Sequence, residues 1–300
     1  MKGNLNFLLL LRAKFFKFLQ KMGINITLNN FYSPIPDIST LNNEIWQRKS
    51  ELLGINLNEE NQIKLLKYFL LEYKNECDKI PLKKTSISYE FFLKNGSFQF
   101  VDACILYCMI RHYKPKKIFE IGSGNSTYLC AKGLLHNQME TGYLGKLIAI
   151  DPYPNNVVKK GFPGFYKLYT SKLEDIDLSF FNHLEENDIL LIDSTHVLKI
   201  GGDVKYLYLD LIPRLKKGVL IHIHDIFLPF EYPKEWIYKY LLFWNEQYLF
   251  QAFMTYNDAF EVIWAGNFMG SRHMDKLHKM FTTFDPTKVK KTSFWIKKKL

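Results

Sequence analysis

The sequence predicts an α/β fold: a mostly parallel seven-stranded sheet with a C-terminal antiparallel hairpin and an N-terminal helical cap. Three observations predict it. From about residue 98, short apolar runs of strand character alternate with helical stretches. The first of those strands enters a loop with two glycines, Glu120-Ile-Gly-Ser-Gly124, that opens a helix. Near the end, the apolar runs Phe250 to Tyr256 and Ala259 to Ala265 flank Asn257-Asp258, a hairpin turn signal.

The elements follow in order. Leu5 to Leu11 is apolar but too short to span a bilayer, and Arg12, Lys14 and Lys17 interrupt it. No small-residue cleavage site follows, which argues against a signal peptide and for a cytoplasmic protein. The segment reads as a helix packed on the main domain or on a second subunit, which leaves a homo-oligomer open. A basic amphipathic helix making peripheral contact with a membrane is the alternative. Pro34 and Pro36 hold Phe31 to Asp37 extended. Asn61 to Tyr73 carries Ile63, Leu65, Leu66, Phe69 and Leu70 at helical spacing.

Residues 1–95 are thus expected to form the cap and 96–270 the sheet domain. Within the latter, Phe98 to Tyr113 is a helix stopped by Lys114-Pro115. Strands are expected at Lys117–Ile121, Lys146–Asp151, Phe165–Tyr169, Asp188–Asp193 and Gly218–His224. Helices are expected at about Ser126–His136, Val204–Ile212 and Trp236–Tyr248. This order makes the sheet Rossmann-like.

Composition sets limits. A 300-residue chain that is 47% hydrophobic and 16% aromatic can bury a large core, which excludes wholesale disorder. Cys77, Cys104, Cys108 and Cys130 lack zinc or redox spacing, and Cys104 and Cys108 read as core positions. The formal charge of +10 is concentrated at the end of the chain. Residues 271–300 hold nine Lys or Arg against Asp275 and Asp285, and read as a basic tail.

The strand ends carry the candidate chemistry. Gly122 and Gly124 allow a tight turn and close approach of a ligand to the backbone. A dinucleotide fingerprint wants a third glycine where Thr127 stands, so NAD and FAD are disfavoured. Asp151 closes the second strand, where a carboxylate can accept hydrogen bonds from a ribose diol. The fourth strand ends in Asp193-Ser-Thr-His196 and the fifth in His222-Ile-His224-Asp225, on the same sheet edge as the glycine loop. Alternation puts His222 and His224 on one face. The Phe227–Trp236 loop is expected to wall an acceptor pocket, with Glu231, Tyr232 and Trp236 near the substrate.

The run Glu120-Ile-Gly-Ser-Gly-Asn-Ser-Thr127 resembles motif I of class I S-adenosylmethionine-dependent methyltransferases, over about Phe98 to Asn267. The resemblance implies cofactor contacts from Glu120, Gly122, Ser123, Gly124, Asp151 and Asp193, with Lys172-Leu-Glu174 near the adenine. The Asp-x-x-His pattern with Asp225 is similar to metal-dependent O-methyltransferases acting on sugars of natural products. It implies Asp193 and Asp225 as ligands of Mg²⁺ or another divalent ion and His196 as general base. His224 departs from that pattern, since the group often has a carboxylate there.

The expected activity is O-methylation of a small hydroxylated or sugar-containing molecule. A nicotinamide-dependent oxidoreductase is one alternative. Another is a non-catalytic or RNA-associated protein using the tail with Phe294 and Trp295. A nucleic-acid partner is disfavoured, because Asp193-Ser-Thr-His196 stands where a base-methylating enzyme carries an Asn-Pro-Pro-Tyr-like motif.

Overall fold

In the computed structural model, which describes residues 13–30 and 32–300, the alternation becomes one seven-stranded sheet of order β3-β2-β1-β4-β5-β7-β6. The strands are β1 Lys117–Ile121, β2 Lys146–Ile150, β3 Lys167–Tyr169, β4 Ile189–Ile192, β5 Leu220–Ile223, β6 Phe260–Ala265 and β7 Phe294–Lys298. The first five pair in parallel, while β7 pairs antiparallel with both β5 and β6. Every residue of β4 and β5 is buried, which explains the unbroken apolar run of β4 and the apolar neighbours of His222 in β5: a parallel strand is covered on both faces.

Four helices bear on the site and its support: α1 Glu59–Glu72, α2 Phe100–Tyr113, α3 Asn125–Thr141 and α4 Glu246–Met254. Helix α2 is buried from Val101 to Arg111, and its Cys104 and Cys108 are free and buried as expected of core positions. Helix α1 covers the edge of the sheet. Its Gln62 accepts a hydrogen bond from the Ala265 amide at 2.8 Å, and Asn58 donates to the Val262 carbonyl at 3.0 Å. Those contacts occupy backbone groups that an edge strand would otherwise leave open.

The chain divides into two compact units. One comprises Trp46–Pro233 with Trp244–Leu300; the other comprises Lys234–Phe243 with the described residues up to Ile45. Both differ from the expected boundaries, because residues 46–95 and 271–300 belong with the sheet. The apolar run Leu5 to Leu11 lies outside the described residues.

The antiparallel ending is present but built from other residues. Phe250 to Tyr256, expected as a strand, lies largely in α4, where Glu246, Gln247, Phe250 and Met254 are buried at helical spacing. The partner of β6 is β7, supplied by the supposed tail. The expected helix Trp236–Tyr248 is broken into Lys234–Tyr238 and α4, with Leu241 in the left-handed region at φ +54° between them.

The sheet order positions the site. Strand β1 has β2 on one side and β4 on the other, so the chain connections diverge there and leave a crevice beyond the carboxyl ends of β1 and β4.

Candidate cofactor and acceptor site

The loop after β1 is tied to both neighbouring strands. The Gly122 amide donates to the Ile150 carbonyl at 2.9 Å, and the Asp193 amide donates to the Ile121 carbonyl at 3.0 Å. Gly122 has φ +83°, and a Cβ there would lie 2.5 Å from the Asp193 carbonyl oxygen. Only glycine fits. At Gly124 a Cβ would meet nothing within 4 Å, so the loop faces open space there.

Thr127 has its own structural reason. Its hydroxyl accepts from the Gly124 amide at 2.8 Å and so satisfies a donor that the start of α3 would leave unpaired. On the next strand, Asp151 accepts from the Ser123 hydroxyl at 2.5 Å and from the Tyr153 amide at 2.7 Å, one bond on each carboxylate oxygen. Each oxygen keeps a lone pair for a further donor.

Glu120 is fully buried beneath this loop. One carboxyl oxygen accepts from the Ser126 hydroxyl at 2.6 Å, and the other has no partner. Burial pushes its pKa up to about 8, against the opposing hydrogen bond of Ser126. A raised folded-state pKa means the folded protein holds this proton more tightly than the unfolded chain. The associated stability is therefore fully present below the ordinary value of 4.5 and is lost as the pH rises through about 8. Glu120→Gln, which cannot ionise, should melt no lower than the wild type at pH 5 and several degrees higher at pH 8.5. Thermal denaturation at the two pH values measures this; a gap that does not widen with pH refutes it.

The ends of β4 and β5 meet in a network of histidines and carboxylates. The Thr195 amide and hydroxyl donate to Asp203 at 2.8 and 2.6 Å, which fixes the turn after β4. His196 follows at φ +58°, its ring 4.1 Å from that of Trp244 between centroids. Its Nδ1 lies 2.8 Å from Glu246 and its Nε2 lies 3.2 Å from Asp193. Glu246, fully buried at the start of α4, also accepts from the Ser194 hydroxyl at 2.8 Å and the Tyr208 hydroxyl at 2.9 Å.

From β5, His222 is buried. Burial drives its pKa well down, and its Nε2 shares a hydrogen bond with the Ser293 hydroxyl at 2.8 Å. His224 lies on the same face, with ring centroids 6.0 Å apart. Its Nδ1 is 3.5 Å from Asp193 and 3.6 Å from Asp225. Burial opposes charge on both His196 and His224, but their carboxylate neighbours outweigh it and raise them to about 10 and about 9. The same two histidines hold the Asp193 carboxyl well below the usual range, against its partial burial. Asp225 accepts from the Thr292 hydroxyl at 3.0 Å. Asp102 on α2 accepts from the Thr292 and Ser293 amides, each at 2.9 Å, and so anchors the start of β7 beneath the site.

The residues singled out in the sequence therefore converge. Glu120, Gly122, Ser123, Gly124 and Asp151 surround the glycine loop, while Asp193, His196, His224 and Asp225 share one network. Other expectations change. His196 has both ring nitrogens against carboxylates, which suits a cation and not a base ready to take a proton. His224 stands between the two expected metal ligands. Among the described residues, no group of three or more His, Cys, Asp or Glu is arranged to hold a metal ion. Glu231 and Tyr232 serve packing: Glu231 accepts from Tyr248 at 2.6 Å, and the buried Tyr232 accepts from the Gln247 amide at 3.1 Å. Trp236 belongs to the smaller unit. Lys172-Leu-Glu174 leads into a single helical turn after β3, at Leu173–Asp175.

Residues 119–226 match a family described as a methyltransferase domain, and that span includes the glycine loop, Asp151, Asp193, His196 and Asp225. An uncharacterised protein of Archaeoglobus fulgidus is 33% identical over 171 residues, covering 53% of this chain and 74% of that one. Residues 119–226 are thereby assigned to a methyltransferase domain.

Among solved structures, this methyltransferase is similar to CmcI with Mg and SAM, at 19% identity and a TM-score of 0.32 over 53% of this chain. It spans 61% of that structure's length. It is also similar to a Plasmodium falciparum protein described as a putative protein-L-isoaspartate O-methyltransferase in complex with S-adenosyl-L-homocysteine. There the identity is 10% and the TM-score 0.32, over 56% of this chain and 84% of that one.

A methyltransferase domain accounts for the glycine loop without a dinucleotide, which speaks against the nicotinamide alternative. Phe294 and Trp295, expected to contact RNA in another alternative, are buried in β7 of the methyltransferase sheet. Two important residues escaped the sequence reading. Glu246 had a visible signal: Asn245-Glu246-Gln247 interrupts an aromatic run, and a carboxylate in apolar surroundings needs partners. Asp102 sat in an apolar helix and offered the same signal.

Proposed function

We propose that this methyltransferase O-methylates a small hydroxylated acceptor, and that Asp193 is the residue that meets the acceptor hydroxyl. The observation that carries this reading is exposure. Asp193 has a side chain 37% exposed, whereas those of His196, His224 and Glu246 are 5%, 8% and 0% exposed. Asp193 is therefore the member of the network that a substrate reaches most readily.

Gly122, Ser123 and Gly124 would hold the methionine portion of the cofactor, and Asp151 its ribose. The open space at Gly124 and the spare lone pairs of Asp151 fit such a ligand, as does the unpartnered oxygen of Glu120 beside them. When bound, S-adenosylmethionine supplies an electrophilic methyl group. Asp193 accepts the hydrogen bond of the acceptor hydroxyl and so orients its oxygen lone pair. As the oxygen is alkylated, its proton becomes far more acidic than a carboxylic acid. Even a carboxylate held low by two imidazolium neighbours then takes it. His196 and His224 keep Asp193 charged and fixed, and Glu246 fixes His196. On this reading His196 is a positioning residue, and the base role expected for it passes to Asp193.

This reading routes no step through a divalent ion at Asp193 and Asp225, whose carboxylates lie 3.5 and 3.6 Å from His224 Nδ1.

Two measurements test the reading. Asp151→Ala should weaken S-adenosylhomocysteine binding at least tenfold by calorimetry, since charge-assisted hydrogen bonds are worth roughly 1.5–3 kcal/mol each. Unchanged affinity refutes the ribose assignment. A screen of acceptors with labelled S-adenosylmethionine should place label on hydroxylated small molecules. Label appearing on nucleic-acid bases or proteins alone would overturn the acceptor class.

A further inference from the structure

We propose that residues 13–28 form a docking surface for an anionic phospholipid bilayer. A helix spans residues 13–21, and along it Lys14, Lys17 and Lys21 recur at spacings of three and four, which gathers them on one narrow arc. Phe15, Phe18 and Met22 recur at the same spacing one position further on, and Phe16 and Leu19 widen that second arc. The apolar arc is not buried. Phe15, Phe18 and Met22 are 60%, 58% and 59% exposed, and the chain continues with Ile24, Ile26 and Leu28 at 45%, 59% and 58%. Single exposed apolar residues are ordinary on a folded protein, but a contiguous run of this length marks an interaction site.

Charge selects the occupant. Lys2, Arg12, Lys14, Lys17 and Lys21 precede Asp37, and no Asp or Glu stands before it. Two such segments facing each other would bring lysines against lysines, which disfavours a second copy of the chain. A bilayer with anionic headgroups answers both features at once. The aromatic arc enters the boundary between headgroups and acyl chains, and the lysines extend their ammonium groups to the phosphates. No described helix is long and apolar enough to cross a membrane. Polybasic attraction and apolar insertion are each weak alone and reinforce one another.

The test is co-sedimentation of the full chain with vesicles of phosphatidylcholine alone or mixed with phosphatidylglycerol. The wild type should partition to the mixed vesicles, at least about tenfold less to the neutral ones, and less again at raised salt. The variant Phe15→Ser/Phe18→Ser and the variant Lys14→Glu/Lys17→Glu/Lys21→Glu should each lose about tenfold or more. Both should keep the wild-type melting temperature and S-adenosylhomocysteine affinity, which separates a lost surface from a lost fold. The proposal is overturned if the wild type stays in the supernatant with anionic vesicles or if both variants bind as it does. It is also overturned if sedimentation velocity shows a dimer that Phe15→Ser/Phe18→Ser dissociates.

Discussion

A chain ended after Gly270 should fail to fold. Residues 271–300 carry nine of the basic side chains and read locally as a solvated tail, yet they contain β7, which lies between β5 and β6. Its removal takes Phe294, Trp295 and Ile296 out of the core, all of them 2% exposed or less. Each such side chain is worth roughly 1.5–3 kcal/mol when buried. Together they approach the whole net stability of an ordinary domain, about 5–15 kcal/mol. The loss does not stop there. Strands β5 and β6 would each expose an unpaired edge, which invites aggregation. Asp102, fully desolvated beneath the site, would lose the Thr292 and Ser293 amides that satisfy it. The expected outcome is insoluble protein, or soluble protein without a cooperative melting transition by circular dichroism. A shortened chain that melts cooperatively near the wild-type temperature would show that β7 is dispensable.

The contrast between β7 and the other strands shows what the sequence could and could not reveal. The five parallel strands and the glycine loop were legible because their signals are local: buried runs of strand length, a turn that needs glycine, a carboxylate at a strand end. The ending was not. Lys297 and Lys298 stand in β7 beside apolar neighbours, and Lys298 is buried only because its stem lies along the protein while its ammonium reaches the Pro213 carbonyl at 3.2 Å. Charge counting cannot distinguish such lysines from those of a free tail. Phe250 to Met254 was ambiguous for another reason, because a short apolar run fits a strand or one turn of a buried helix equally well. Within the site, residue identities were legible and roles were not. His196 stands at an expected place, but only the fold brings Glu246 to its other nitrogen, fifty positions away in the chain. That contact sets a second carboxylate against the candidate base and raises its pKa.

Replacing Asp193 by asparagine should abolish most turnover while leaving cofactor affinity within a few-fold of wild type. The amide keeps the size of the carboxylate and can still accept a hydrogen bond, so the turn after β4, fixed by Thr195 and Asp203, should persist. What it cannot do is take the proton released as the acceptor oxygen is alkylated. Loss of positioned proton transfer is worth about 10²–10⁴ in rate, and kcat should fall by that much with little change in KM. The neighbours supply an independent readout. His196 and His224 both owe part of their raised pKa to Asp193, so both should titrate lower in Asp193→Asn, while Glu246 beside His196 and Asp225 beside His224 keep part of each shift. Two-dimensional NMR of the imidazole protons can follow each ring through the range from pH 6 to about 10. Glu246→Gln provides the complement: it should lower the His196 pKa and reduce kcat about tenfold, because it disturbs Asp193 only through the ring. If the two substitutions act on one chain of contacts, their combined effect on kcat should be smaller than the product of the single effects. Multiplicative losses would separate Glu246 from the reaction, and wild-type turnover in Asp193→Asn would remove Asp193 from it.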